Sequence, residues 1–513
     1  MALKHACVPM GACKQQAADD RRHHGQGRED AVRVYRRRWL LLALFVSVIA
    51  LNALPWLQYC VIEDVAVRYY GVSGTMVEWT SLVFNVTALL LAFPAAWMLD
   101  QHGLRRCVLV GAVGTAAGMW LKVAGCWQSG YWTTLLGQAV VSASTNFVIG
   151  APARFAAVWF PAHEVSTAVG TAIFGQMGGI SLGCALAPLT ARIDWSDADI
   201  FWGFLRLNLS LAVTGTVLML AVVCLFQDEP PLPPSPAQAS AKISSANKKA
   251  LSAQSLASTQ TQASDQPLAP SSASDFLASM RRICRSVQFV LLLASYTLSV
   301  SVFIAVNTLL NRFVLNFFPE RSADAGLLAT LMTLTGMVGI VAVSVAMDRT
   351  KKFKELSVFV YAGSLATCVM YTLVLSRGSI DMVYWAAAAM GAFMSAFFVA
   401  GLEMAAELTY PEPEGNPTSL LNWVFQSFAL VTTLAYEHLF SDLGADAANY
   451  FLCGLLALGL VCTLAIPKKY NRLEAERAEQ AIADAKALAG KQAKTPAVTV
   501  AVIPVPPSPA PAV

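Results

Sequence analysis

Long apolar stretches, separated by short polar segments, fill most of the chain and fall into two groups of six. Each stretch has about twenty residues, the length that an α-helix needs to cross the hydrocarbon core of a bilayer. The pattern predicts an all-α membrane protein with twelve transmembrane helices. The first six spans are expected near 39–62, 79–99, 104–125, 132–153, 165–191 and 201–226, and the second six near 287–310, 325–347, 356–375, 382–402, 419–436 and 447–466.

The two groups are separated by a polar segment of very different composition. Four prolines between Pro230 and Pro234 lead into a run dominated by Ser, Ala and Gln. Such a composition buries too little apolar surface to offset the entropy lost on ordering. We therefore predict a disordered linker between two membrane domains, with polar tails at both ends. The boundaries are 1–38 for the N-terminal tail, 39–226 for the first bundle, 227–285 for the linker, 286–467 for the second bundle and 468–513 for the C-terminal tail.

Composition agrees with a polytopic membrane protein and excludes several other classes. Of the 513 residues, 56% are hydrophobic and 13% are charged, against about a quarter charged in globular proteins. The 11 cysteines are scattered without a close CxxC pair or metal-ligand spacing, which predicts free thiols and no metal site. No nucleophile elbow, phosphate loop or basic nucleic-acid patch is present. We expect a monomer that is not an enzyme, holds no cofactor and contacts lipid and a small solute.

Charged residues mark the orientation of the spans. Basic residues cluster before the first span, after the second and the eighth, in the linker before the seventh, and after the twelfth, whereas acidic residues such as Glu63, Asp64 and Asp442 collect at the alternate ends. The positive-inside rule then predicts that both termini and the linker are cytoplasmic. We expect the protein in the plasma membrane.

The middles of the spans contain no Asp, Glu, Lys or Arg. Because proton-coupled and ion-coupled carriers usually place an ionisable group there, this pattern favours a uniporter. Glu403 and Glu407 are the nearest exceptions, one turn apart toward the cytoplasmic end of the tenth span. A role at a gate or helix end is expected for them rather than proton coupling.

A short acidic-then-basic loop occurs at the same place in both halves. Residues 100–106 read DQHGLRR and residues 348–354 read DRTKKFK. They resemble the D-R-x-G-R-R loop of the major facilitator superfamily, although Gln101 replaces the usual Arg and the second copy lacks the Gly. The resemblance implies two pseudo-symmetric six-helix bundles that rock against each other. The candidate gate residues are Asp100, Arg105, Arg106, Arg154, Glu164 and Asp348. Alternatively, these charges only fix topology.

Three spans carry neutral polar groups of the kind that line a solute cavity. Pro55 interrupts the first span, which is tolerated where the bend faces protein or a cavity, and places Trp56 beside the bend. In the fifth span Gln176 stands among glycines, and in the eleventh Gln426 follows Trp423. Each Gln could contact a solute or form a hydrogen bond between helices, and both interpretations stay open.

Several motifs resemble the feline leukaemia virus subgroup C receptor-related transporters. The resemblance extends from about residue 36 to residue 466 and omits both tails and most of the linker. It rests on NALPWLQY at 52–59, YGV at 70–72, FPA at 93–95, GLR at 103–105, VWF at 158–160, NTLLN at 307–311, GMVG at 336–339, ELTYPE at 407–412 and LLN at 420–422. Transport of choline and ethanolamine, and of haem, is what the resemblance implies.

The resemblance also implies a substrate site, with one departure. Trp56 matches a cation-facing tryptophan of the family, and Gln176 and Gln426 match its cavity glutamines. A seventh-span tyrosine of the family falls on Ile304, so half of the aromatic box is missing unless Phe303 or Tyr296 replaces it. This departure favours haem as the expected substrate, with a choline/ethanolamine uniporter as the alternative. A membrane receptor that senses a solute is a further alternative.

Overall fold

The computed structural model describes residues 34–161, 164–232, 273–319, 321–376, 379–410, 415–468 and 474. All regular structure in these residues is helical. The N-terminal half contains α1 (Arg37–Ala53), α2 (Glu63–Tyr70), α3 (Gly74–His102), α4 (Leu104–Ala124), α5 (Tyr131–Ile149), α6 (Pro152–Trp159), α7 (Val165–Thr190) and α8 (Asp197–Leu225). The second group is α9 (Ala273–Arg285), α10 (Val287–Thr308), α11 (Leu310–Phe317), α12 (Ser322–Thr350), α13 (Phe353–Leu375), α14 (Ile380–Thr409), α15 (Gly415–Leu443) and α16 (Ala445–Ala465).

Ten helices in the described residues are long and apolar enough to cross a membrane. The remaining two of the twelve predicted crossings correspond to α1, which has 17 residues, and to α15, which is longer but more polar. The prediction of an all-α membrane fold is confirmed. Both predicted tails and residues 233–272 of the predicted linker lie outside the described residues, apart from a few positions that border the helices.

The linker prediction is wrong for its last 13 residues, which form α9. Ile283 of this helix is 3% exposed, and the Ser279 hydroxyl accepts a hydrogen bond of 2.8 Å from Asn416 Nδ2 of α15. Composition alone misses the helix because its apolar positions become buried only when α15 packs against them. Arg281 and Arg285 face outward from the same helix.

The first span is broken rather than bent. Helix α1 ends at Ala53, residues 54–59 form a non-helical connection, and a short 3-10 helix follows at Cys60–Ile62. Pro55 lies in this connection, where its ring prevents the next helical hydrogen bond. We call residues 54–59 the α1 break. It lies among α4, α5, α7 and α8.

Glycines let α7 pack directly on α1. A Cβ atom on Gly183 would overlap the carbonyl oxygen of Leu54, and one on Gly179 would overlap that of Ala50. The same helix also meets the C-terminal half, since Gly326 of α12 lies against Cys184 and Pro188. Helix α7 therefore links the α1 break to the interface between the halves, and close backbone approach through small residues is a common packing mode in membranes.

We expect Gly183→Ala to lower the stability of the N-terminal half. The added methyl group meets the backbone at Leu54, and overpacking of this kind costs about 1–3 kcal/mol. The measurement is the melting temperature of the purified protein in detergent. Gly178→Ala on the same helix is the matched control, because no atom lies within 4 Å of the added Cβ. Equal melting temperatures for the two variants would contradict the packing account.

Candidate functional site

The α1 break is fixed from the side of the N-terminal half by side chains of neighbouring helices. Gln138 of α5 donates a hydrogen bond to the carbonyl oxygen of Pro55, one of the groups that the broken helix leaves free. One turn earlier, Asn52 Nδ2 donates to Thr115 Oγ1 at 2.7 Å and to the Val141 carbonyl oxygen at 3.3 Å. These bonds supply the internal partners that backbone and amide groups need inside a bilayer.

Gln58 connects the break to a buried polar network. Its Oε1 accepts a hydrogen bond of 2.7 Å from Lys122 Nζ, and its Nε2 donates to Asn208 Oδ1 at 3.3 Å. Asn208 in turn donates from Nδ2 to the Tyr59 hydroxyl at 3.3 Å. A search for ionisable residues at the middles of the spans misses Lys122, because Lys122 lies in the last turn of α4. It is completely buried.

Trp56 is the residue of the break whose polar group has no protein partner. Its indole N–H is buried, yet no acceptor lies within hydrogen-bonding distance in the described residues. The ring is half-buried and packs against an apolar cluster to which both halves contribute. Leaving a buried donor unpaired costs about 1–3 kcal/mol. Trp56 can therefore offer both a hydrogen-bond donor and an aromatic face to a ligand.

Gln176 lies beside the end of α1. It lines a recess of about 10 Å³ together with Asn52 and Ala53 of α1 and Thr145 of α5. The recess is far smaller than the roughly 300–1,000 Å³ of a pocket for a drug-sized ligand. The structure therefore brings Gln176 close to the helix end that precedes the α1 break.

In the C-terminal half, Gln426 of α15 is half-buried and its Oε1 has no hydrogen-bond partner in the described residues. Trp423, one turn earlier, donates from Nε1 to the Leu89 carbonyl oxygen of α3 at 3.2 Å. Its ring centroid lies 6.2 Å from that of Phe93. Gln426 is thus on a helix that contacts the N-terminal half directly.

The two aromatic side chains of the seventh span that could replace the missing tyrosine differ in burial. Ile304 is 5% exposed, and the neighbouring Phe303 is half-buried. Tyr296 is 1% exposed and packs between Phe398 and Phe425, with ring centroids 5.7 and 6.0 Å away, and Gly401 also lies against its ring. The role of either side chain in binding a solute stays a prediction.

A cluster of charges joins the two halves at the face opposite the chain termini. The guanidinium of Arg312 in α11 lies 2.7 Å from Glu63 Oε1, 3.2 Å from Glu78 Oε1 and 3.3 Å from Glu437 Oε1. Thr75 donates a hydrogen bond to Glu437, which adds a second link between α3 and α15. We call Glu63, Glu78, Arg312 and Glu437 the Arg312 cluster.

Next to the cluster, Asn311 Nδ2 donates to the Val61 carbonyl oxygen at 3.1 Å and to Asp64 Oδ1 at 3.2 Å. Burial raises the pKa of Glu63, although Arg312 partly offsets the effect. Burial also lowers the pKa of Arg312, but attraction to Glu63 and the other two carboxylates outweighs it and raises that pKa above its usual value. The cluster therefore combines buried and half-buried ionisable side chains, and Arg312 keeps its proton in it.

The residues expected to form a gate lie at the opposite face, and two of them make contacts within the N-terminal half. Glu164 forms an ion pair of 2.9 Å with Arg38, and Arg105 donates from Nη2 to the Val223 carbonyl oxygen at 3.0 Å. Glu407 is buried. Arg106, Arg154 and Glu403 are exposed, while the side chains of Asp100 and Asp348 lie outside the described residues. The gate assignment for this set stays a prediction.

The Arg312 cluster was not anticipated from the sequence. Its members lie at the ends of four different spans, and along the chain Arg312 is 249 residues from Glu63 and 125 residues from Glu437. The available signal was the position of Arg312, a basic residue that follows a span at the end where acidic residues such as Glu63 and Asp64 collect. In the described residues no group of three or more His, Cys, Asp and Glu side chains could hold a metal ion.

Comparison with known proteins identifies the family. Residues 40–385 match the Major Facilitator Superfamily. The chain is 34% identical over 450 residues to a protein of Danio rerio named choline/ethanolamine transporter flvcr2b, covering 87% of each sequence. It is 33% identical over 454 residues to the choline/ethanolamine transporter FLVCR2 of Homo sapiens, covering 88% of this chain and 81% of the relative.

Solved structures agree on the fold. The crystal structure of the E. coli fucose:proton symporter FucP superposes with a TM-score of 0.56 at 13% identity, over 85% of this chain and all of that one. At such low identity this similarity supports the fold alone. The sequence matches are specific, and they cover both membrane halves. The chain belongs to the feline leukaemia virus subgroup C receptor-related family of major facilitator superfamily transporters.

Proposed function

We propose that the chain transports choline and ethanolamine across a membrane by alternating access between its two halves. The observation that carries this proposal is the half-buried Trp56 at the α1 break, which offers an aromatic face and an unpaired N–H. The names of the related transporters support the same substrate class. Haem is the second candidate. The presence of Ile304 in place of a family tyrosine favours it, whereas the names of the relatives do not mention it.

Side chains near Trp56 can contact both the ammonium group and the hydroxyl of such a substrate. An ammonium group within about 6 Å of an indole ring gains about 0.5–2 kcal/mol, and Phe303 is the half-buried aromatic side chain nearest in sequence to the position of Ile304. The substrate hydroxyl can accept a hydrogen bond from Trp56 Nε1 and donate one to Gln426 Oε1. Gln176 adds a neutral polar group beside α1. Substrate contacts made by uncharged side chains are compatible with uniport down the substrate gradient.

The Arg312 cluster supports a gate in this proposal. It holds α2 and α3 to α11 and α15 and closes the face opposite the termini. By the positive-inside rule that face is extracellular and both termini are cytoplasmic, in the plasma membrane. The proposed cytoplasmic gate consists of Asp100, Arg105, Arg106, Arg154, Glu164, Asp348, Glu403 and Glu407, whose contacts would change as the halves rock.

We expect Trp56→Ala to reduce uptake of labelled choline about tenfold or more, since the ring supplies the cation–π attraction and the hydrogen-bond donor. Trp56→Phe should retain part of the uptake, because it keeps an aromatic face. The measurement is initial uptake per molecule at the cell surface. Trp385→Ala is the matched control, since that tryptophan is 78% exposed on α14. Normal uptake by Trp56→Ala would remove Trp56 from the substrate site.

Parallel uptake of labelled choline, ethanolamine and haem by the unaltered chain tests the substrate class. We expect saturable uptake of the two amino alcohols, each inhibiting the other, and no haem uptake above that of cells lacking the protein. The contact set around Trp56 provides a cation site and two groups for a hydroxyl, which fits an amino alcohol. Saturable haem uptake without choline uptake would reverse the order of the two candidates.

We expect Arg312→Ala to abolish most uptake while the protein still reaches the membrane. Removing the guanidinium leaves buried carboxylates without a counter-charge, a change that typically costs 3–5 kcal/mol, and the closed outer face loses its main link. Uptake and surface abundance are measured together. Arg321→Ala is the control, because Arg321 forms an exposed ion pair of 3.4 Å with Asp324 nearby. Equal uptake by both variants would exclude the Arg312 cluster as a gate.

A further inference from the structure

Lys122 is a buried charged residue that the proposed transport chemistry does not use. It lies in α4, is 0% exposed, and is among the largest fully buried side chains of the described residues. Gly137 of α5 provides the room for it, since a Cβ atom there would lie 2.8 Å from Lys122 Cγ. An ionisable side chain within a membrane domain is costly to bury, so its presence calls for a specific role.

The ammonium group of Lys122 contacts the α1 break. Its Nζ donates to Gln58 Oε1 at 2.7 Å, and it lies 5.0 Å from the centre of the Tyr59 ring. In the low dielectric of the protein interior a hydrogen bond is electrostatically stronger than in water. This buried side-chain contact to the break is made two residues after Trp56.

The backbone of the break depends on such side-chain contacts. Between the end of α1 and the 3-10 helix its backbone bonds are short-range turns, with Trp56 N donating to the Ala53 carbonyl oxygen at 3.2 Å and Gln58 N donating to that of Pro55 at 3.3 Å. At its ends, Leu54 N donates to the Ala50 carbonyl oxygen, and the Leu57 and Tyr59 carbonyl oxygens accept from Val61 N and Ile62 N. Lys122 also sets the direction of the Gln58 amide, because the oxygen faces the ammonium while Nε2 is left to donate to Asn208. Without the ammonium, this amide loses the contact that orients it.

We propose that Lys122 is a positioning residue, whose buried ammonium holds Gln58 and with it the α1 break in the conformation that presents Trp56 to the substrate. The part of this statement that concerns substrate rests on the proposed function. The part that concerns the break does not, because it is a property of the protein without substrate. The other possibility is that Lys122 only fills space in the N-terminal half.

Hydrogen–deuterium exchange of the purified protein without substrate tests the conformational part. We expect Lys122→Met to speed exchange in the peptide that covers residues 54–60 by about tenfold, the effect of losing one buried hydrogen bond on local opening. Gln58→Leu removes the acceptor of the same bond together with the bond to Asn208, and should give at least the same local increase. The double variant should exchange no faster than Gln58→Leu alone, since that change already removes the bond to Lys122.

Trp120→Phe is the matched control on α4. It removes a hydrogen bond of 3.0 Å from Trp120 Nε1 to Thr216 Oγ1, on an exposed face of the helix. Its exchange at 54–60 should equal that of the unaltered protein. If Lys122→Met is not recovered folded, Gln58→Leu is compared with Asn208→Ala, which removes the bond to Asn208 but keeps the bond to Lys122, and faster exchange in Gln58→Leu than in Asn208→Ala is the expected result. Unchanged exchange at 54–60 in a folded Lys122→Met or Gln58→Leu protein would overturn the proposal.

Choline affinity, measured by titration of the same proteins, tests the link to substrate. We expect Lys122→Met to weaken the Kd about tenfold, as for a displaced binding group, and Trp120→Phe to leave it unchanged. Faster exchange with an unchanged Kd would overturn the claim that the break presents Trp56 to substrate. If the unaltered protein does not bind choline, the proposed function fails, and the exchange result still decides whether Lys122 positions the break.

Discussion

The interruption of the first span at Pro55 is the constraint on which the rest of the N-terminal half depends. A broken helix leaves carbonyl and N–H groups without helical partners, and inside a bilayer these must be satisfied by protein. Gln138, Asn52 and Lys122 are buried next to the break and supply hydrogen bonds to it or to its neighbours. The indole N–H of Trp56 has no hydrogen-bond partner in the described residues, and for this reason we place the substrate there.

Ionic contacts and neutral contacts occupy different parts of the interface between the halves. Buried ions are concentrated in the Arg312 cluster at one face, where one guanidinium meets three carboxylates. Farther along the interface the contacts are aromatic and neutral, as with Trp423 and the Leu89 carbonyl oxygen. In the proposed cycle a cationic substrate then moves between neutral surfaces, while the ionic contacts are made and broken at the gates. Such an arrangement allows the halves to separate without exposing a charge at the substrate site.

Apolar periodicity and loop composition predicted the helical membrane fold, and the motifs predicted the family. Local sequence could not show where packing overrides composition, as in α9, which is helical because α15 buries its apolar positions. Nor could it join Arg312 to Glu63, Glu78 and Glu437, because only the tertiary fold brings the ends of separate spans together. The predicted substrate residues lie in the α1 break and on α7, α10 and α15, and their joint contact with one solute depends on a geometry that the sequence does not contain.

The central claim is that the Trp56 ring holds the ammonium group of the substrate. A structure of the protein determined with choline bound tests it most directly. We predict the trimethylammonium group within about 6 Å of the centre of the Trp56 ring, the range of a cation–π contact, with the hydroxyl directed toward Gln426. Choline bound elsewhere, with the Trp56 ring facing lipid or covered by protein, would contradict the account.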